Sequence, residues 1–312
     1  MSFTVVPLHL VDVPPGTRIP FGPDFVFEEI PDWLKQDKGI INDLGLTERQ
    51  LFSAATHAFV AEYEALSLGS PDPSWTGPKP KGIQNRKFQA AMLANFALWL
   101  RQPSPACFTS CFHAISWKCQ DQPQRIPIVQ QVQHHTRLFN HPKDAGNPLT
   151  PSHIAQAAPI YAALAAIPTD NPVWEATRFF WEALTTYRSD FRYTSFWIGM
   201  EALFGPNDAG ETTYKICQRV AFLLAESPQD ARELFRKAKN CYATRSKIVH
   251  GRWKHDPKIT DAMADTEALV RTAFRKLLAD PQMLKVFISK KRDAFLEDWV
   301  FSRSTDTPPF PE

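Results

Sequence analysis

SPQDARELFRKAKNCYATRSKIVHG, residues 227–251, is the stretch from which the fold of the second half of this chain is read. Ser227 offers an N-cap hydroxyl, and Pro228 stands at the first helical position, where a missing N–H costs nothing. Leu234, Phe235, Ala238 and Tyr242 then recur at helical spacing, and Gly251 stands where a helix C′ residue belongs. The spacing predicts one amphipathic helix from Pro228 towards His250.

The same period recurs on both sides of this helix. Helical spacing becomes steady from Pro151. Asn171-Pro172 opens a helix with Trp174, Thr177, Trp181 and Leu184 on one face, and Tyr193, Trp197, Met200 and Phe204 mark the next, which stops at Gly205-Pro206. A third runs from about Thr212 to Ala225, and a fifth begins at Asp256-Pro257 with Ile259, Met263, Val270, Phe274 and Leu277. Consecutive amphipathic helices with short connections predict a bundle over about 152–290.

The N-terminal half reads less regularly. Residues 1–46 are broken by Pro7, Pro14, Pro15, Pro20, Pro23 and Pro31, which predicts irregular structure with a short β-rich segment at FTVVPLHLV. Leu51, Ala55, Ala58, Phe59, Glu62 and Leu66 have helical spacing, so a helix is expected from Thr47 through Leu66. A Pro- and Gly-rich loop follows at 69–82. Phe88, Met92, Phe96, Trp99 and Leu100 predict a helix at about 84–101. ACFTSCFHAISWKCQ leaves helix and strand open, and residues 121–151 read as a Pro-punctuated connector with one short helix around Val129–Phe139.

The chain has 312 residues, 44% of them apolar and 22% charged, with 27 prolines, 23 phenylalanines, nine tryptophans and 12 glycines. That composition excludes collagen-like and low-complexity classes and describes a folded, aromatic-rich protein. The net charge of +2 hides an asymmetry, because the window from Arg232 to Lys258 holds nine basic residues against Glu233 and Asp256. A basic patch on a near-neutral chain suits a polyanion. Five cysteines, an odd number, and an N-terminus without a basic-then-apolar pattern predict a reducing, cytoplasmic setting, and no apolar run predicts a membrane segment.

Candidate chemistry narrows quickly. GxxxxGK[ST], GxGxxG, HExxH and GxSxG are absent from the sequence. Cys107, Cys111, His113 and Cys119 could be soft-metal ligands, but their spacing lacks the paired knuckles of a zinc site and reads better as core packing. His134, His135 and His141 read as a solvated loop, and Trp33, Trp75, Trp99 and Trp117 as core. No metal and no cofactor is expected.

Within the basic window, YATRSKIVHG (242–251) pairs Arg245 with His250. Arginine supplies a permanent donor fork for a phosphate, and histidine is the residue type that gives and takes protons near neutrality. On a regular helix the two lie about 140° apart, so a loosened last turn or the long arginine side chain must close the gap. Glu201 falls in the apolar stripe of its helix, between Trp197 and Phe204, and an ionised group there needs a partner. Arg219 or Arg245 could supply it.

YTSFWIGMEALFG (193–205), KICQRVAFLL (215–224) and YATRSKIVHG, in that order, resemble the Apea-like branch of the HEPN superfamily, whose members carry R-x4–6-H late in a helical domain. The resemblance covers roughly residues 150–290. It implies a HEPN-like helical bundle (151–295), and with the reading of the other segments the expectation is a mainly α protein in which that bundle follows a mostly helical accessory domain with some irregular or β segments (1–150) and precedes a tail (296–312). It also implies a metal-independent endoribonuclease, dimeric through the bundle, with a role in phage defence or as a toxin. Arg245 and His250 would be catalytic, with Ser246 in support at the place where many active relatives have Asn, Asp or His, and the helical placing of Glu201 and Arg219 adds these two as supporting residues. Lys239, Lys247, Arg252 and Lys254 would bind RNA. Since non-catalytic members exist, a module that binds nucleic acid or a partner protein is the alternative, and the reading leaves room for a regulatory partner.

Overall fold

The computed structural model describes residues 2–302 apart from 10, 31, 37, 64–82, 105, 107, 109, 120–121, 132–147, 187, 207–211 and 252–257. The described residues are mainly α, with one antiparallel sheet among them, and the chain divides into two compact units that meet in sequence, after α5, between Ala165 and Ala166.

The first unit contains β1 (Ser2–Leu8), β2 (Ile19–Phe21), β3 (Phe25–Glu29), α1 (Asp32–Gln36), α2 (Lys38–Asp43), α3 (Leu46–Ala54), β4 (His57–Tyr63), α4 (Ile83–Arg101), β5 (Ser110–Cys119), β6 (Gln122–Gln131) and α5 (Pro151–Ala165). The six strands pair in the order β2-β3-β4-β1-β5-β6. The FTVVPLHLV segment is therefore a central strand, with Val5 opposite Val60 on one side and Phe112 on the other. Pro7 is tolerated because β1 pairs with β5 only over Phe3–Val5. Val5, Leu34, Phe52, Val60 and Phe112 share one core cluster.

Two expectations for this unit are corrected. The helix read through Leu66 ends at Ala54, where the Ala55 N–H bonds to the carbonyls of Leu51 and Phe52, and the chain continues as β4. That strand lies between β3 and β1 and is buried from His57 to Ala61, so both of its faces are apolar. An unbroken apolar run carries helical and strand spacing at once. The expected connector at 121–151 begins with β6, whose Pro123 and Pro127 are accommodated because it is an edge strand. Residues 132–139 of the expected short helix lie outside the described residues.

The domain boundary also differs from the expected 150/151, because α5 packs with the first unit. The Tyr161 hydroxyl donates to Asp24 at 2.5 Å, and its ring stacks on Phe21 at 5.4 Å. Gly22, at φ +63°, sits so close that a Cβ would fall 2.3 Å from the Tyr161 ring.

The second unit comprises α6 (Pro172–Thr185), α7 (Ser189–Phe204), α8 (Thr212–Leu224), α9 (Pro228–Val249), α10 (Lys258–Ala279), α11 (Pro281–Phe287) and α12 (Arg292–Ser302). The caps follow the sequence signals. The Asn171 side chain accepts from the Val173 and Trp174 N–H groups at 3.0 and 3.1 Å, and the Ser227 hydroxyl from Asp230 N–H at 3.1 Å. Phe180, Phe196, Trp197, Phe204, Phe274 and Phe287 are buried in its interior. Gly199 lets α7 approach α6 so closely that a Cβ would meet the Phe180 ring at 2.3 Å. Helix continues to Ser302 with Leu296 and Trp299 buried, so packing extends into the stretch read as a tail.

Candidate functional site

α9 carries both residues of the R-x4-H string, and its pairing with α7 decides how they are presented. The Tyr193 hydroxyl donates to the Cys241 carbonyl at 2.8 Å, and the rings of Trp197 and Tyr242 meet edge-on at 5.2 Å. One turn further along both helices, Arg245 Nη2 lies 3.0 Å from Glu201 Oε1 and 3.3 Å from Oε2. The contacts advance in the same direction on both helices, so α7 and α9 run side by side in parallel here.

Glu201 thus has the partner its place in an apolar stripe required, and the partner is Arg245. The Tyr242 hydroxyl adds a bond to Oε1 at 2.9 Å. Burial raises the Tyr242 pKa above its ordinary value, and the adjacent Glu201 carboxylate raises it further, so the phenol stays a donor. The Arg245 guanidinium also lies 5.5 Å over the Tyr242 ring, and its side chain is 20% exposed. Nε of Arg245 has no hydrogen-bond partner among the described residues. Glu201 therefore holds the guanidinium at Nη2, while the unpartnered Nε is buried.

His250 is the C-cap of α9. Its N–H bonds to the Ser246 carbonyl at 3.1 Å, Gly251 follows at φ +66°, and the histidine is exposed. The helix stays regular up to this cap, so Arg245 and His250 keep their separation of about 140° and about 7.5 Å along the axis. Within the chain they do not converge on a common point.

Arg219, expected to support this pair, is placed elsewhere. It is buried, with Nη1 2.7 Å from Asp293 Oδ1 and donating to the Phe204 carbonyl at 3.0 Å. Arg292 reaches the carbonyls of Ala202 and Gly205 nearby. Together these arginines tie the C-terminal end of α7 to α8 and α12, which is a bracing role. Ser246 contributes the carbonyl that closes the last turn. Lys247 is exposed, Lys239 lies in a groove between α8 and α9, and Arg252 and Lys254 fall outside the described residues.

No group of three His, Cys, Asp or Glu side chains that could hold a metal occurs among the described residues. β5 explains why the cysteine cluster cannot make one: Cys111 and Cys119 stand at opposite ends of a single strand, about 26 Å apart. Cys111 is buried, and burial pushes its thiol up. Cys107 and His134, His135 and His141 lie outside the described residues, whereas Trp99 is in the core as expected.

Tyr242 is not legible in the sequence as a polar partner, since its place in the apolar stripe accounts for it without the hydroxyl. Arg232 and Arg236 stand out in the sequence only as charge, although their spacing with Lys239 marks one helix face. No family model matches the chain, and no curated protein or solved structure does either.

Proposed function

We propose that the protein is a metal-independent endoribonuclease of HEPN type. The observation that carries the reading is one long helix that presents an exposed histidine at its C-cap and, about one turn earlier, an arginine oriented by a carboxylate and a phenol. That arrangement suits phosphodiester transfer within RNA. His250 accepts the 2′-OH proton as the oxygen attacks phosphorus, or returns a proton to the departing 5′-oxygen, and Arg245 stabilises the charge gathering on the phosphorane. The RNA supplies its own nucleophile, so the products are a 2′,3′-cyclic phosphate and a 5′-hydroxyl.

Because Arg245 and His250 diverge on their helix, the chemistry needs two copies. A symmetric dimer with α9 beside its two-fold axis brings two Arg245/His250 pairs around one basic cleft, where one histidine acts as base and the other as acid. Such a contact should bury at least ~1,000 Å². Specific activity should then fall on dilution through dimer dissociation. A monomer that cuts at full specific activity contradicts this assembly.

The Glu201–Arg245 pair at 3.0 Å favours a second reading, a non-catalytic module whose basic face binds nucleic acid or a partner protein. Incubation with total RNA in EDTA separates the two. Wild-type cleavage that is lost in His250→Ala and in Arg245→Ala, with folding intact, supports the enzyme; undiminished cleavage by either variant overturns it. The setting proposed is a reducing cytoplasm, in keeping with Cys217 and Cys241 as free buried thiols, and phage defence or toxin action is the role the family resemblance suggests. No helix among the described residues is long and apolar enough to cross a membrane.

A further inference from the structure

Between α8 and α9 lies a groove of about 490 Å³, lined on one side by Tyr214 and Phe222 and on the other by Phe235, Arg232, Arg236 and Lys239. Its size falls within the usual range for a small-molecule pocket. Tyr214 is 51% exposed, and its ring meets Phe235 edge-on at 5.3 Å. A half-exposed aromatic ring beside three exposed cations, with no carboxylate among the lining residues, fits a planar group that carries a phosphate.

Helix geometry adds a direction to this chemistry. At ~100° per residue, Arg232, Arg236 and Lys239 lie within about 60° of one another around α9, and His250, eighteen residues after Arg232, returns to the Arg232 line after five turns. The row of cations and the exposed histidine therefore share one face, while Arg245 is turned towards Glu201. From Lys239 to His250 is about 16 Å along the axis.

We infer that this groove is a base-stacking subsite for single-stranded RNA, and that the strand runs from it along the exposed face of α9 to His250. The inference rests on the ribonuclease reading for what happens at the His250 end, but the groove's chemistry stands apart from it. An unpaired base stacks on Tyr214, its phosphate and the next lie against Arg232, Arg236 and Lys239, and the chain then continues towards the histidine. A duplex cannot enter in this way, because its bases are stacked on each other. The combination of a cationic track with aromatic platforms is the general means by which proteins hold single strands.

The test uses the full-length chain carrying His250→Ala, in EDTA, with a fluorescein-labelled single-stranded RNA of 12 nucleotides read by anisotropy. Tyr214→Ala should weaken binding at least about 5-fold, with Tyr214→Phe restoring it. Arg236→Ala should lower the salt slope by about one, and the same sequence as a duplex should bind more weakly. Affinity and salt slope unchanged in both variants overturn the inference, as do absence of binding, preference for the duplex, and competition by free AMP at the strand's own concentration. Cleavage is scored separately with wild-type His250. Groove-dependent binding without cleavage removes the ribonuclease reading and keeps the groove, whereas cleavage and binding indifferent to Tyr214 and Arg236 do the reverse.

Discussion

Glu201→Ala removes the acceptor shared by Arg245 and the Tyr242 hydroxyl. The two charged side chains are 20% and 26% exposed, so the pair is neither a surface ion pair nor a buried one. Exposed pairs couple by ~0–1 kcal/mol, and hydrogen bonds to charged groups in protected sites contribute ~1.5–3 kcal/mol. A coupling of about 1–2 kcal/mol between positions 201 and 245 is therefore expected. It is measured by urea unfolding of the wild type, Glu201→Ala, Arg245→Ala and the double variant, and part of it should survive high salt because the site is half protected. Glu201→Ala should also lower the rate of RNA cleavage, since it frees the arginine to leave its position, with Glu201→Gln recovering part of the loss through the retained bond from Tyr242. A coupling below ~0.3 kcal/mol would refute the claim that Glu201 holds Arg245.

Gly199→Ala should destabilise the second unit by about 1–3 kcal/mol, because the new methyl meets the buried Phe180 ring, itself packed edge-on against Phe274 at 5.2 Å. Better helix propensity alone would stabilise by about 1 kcal/mol, so a gain in urea resistance would show that the ring can yield. Stability of the first unit should fall in acid. Burial lowers the His9 pKa from its ordinary 6.5 to about 4, an effect partly offset by a hydrogen bond that the ring donates to the Leu51 backbone. The unfolded chain therefore takes up the proton first, and the contribution, complete above pH 6.5, is lost as the pH falls towards 4, amounting to about 3 kcal/mol at ~1.4 kcal/mol per unit. Replacing His9 with Gln should flatten that part of the stability curve, and an unchanged slope would assign the acid sensitivity to other groups.

The C-terminal unit was legible because its helices are amphipathic and carry their own stops. Ser227-Pro228 and Asn171-Pro172 are caps in the structure as they are in the sequence. The N-terminal sheet was not, and β4 shows why: a central strand buried on both faces has no alternation to distinguish it from a helix. β6 was hidden by its prolines, which an edge position permits. At the site, the need of Glu201 for a cation was readable from its apolar neighbours, but the choice between Arg219 and Arg245 was not. It depends on α12, whose Asp293 occupies Arg219, and that helix lies in a stretch without a periodic signal strong enough to read. The basic window was visible as charge, while the groove beside it needed α8 in place to supply Tyr214 and Phe222.

The central claim is that Arg245 and His250 cut RNA using the substrate's own 2′-OH. Its most direct measurement is the identity of the ends produced from a defined single-stranded RNA in EDTA by the wild-type protein and by His250→Ala. Attack by the 2′-OH leaves 2′,3′-cyclic phosphate and 5′-hydroxyl ends with the wild type, and loss of the histidine should lower the rate at least ~10²-fold. Ends bearing a 5′-phosphate, or wild-type rates with His250→Ala, would contradict it.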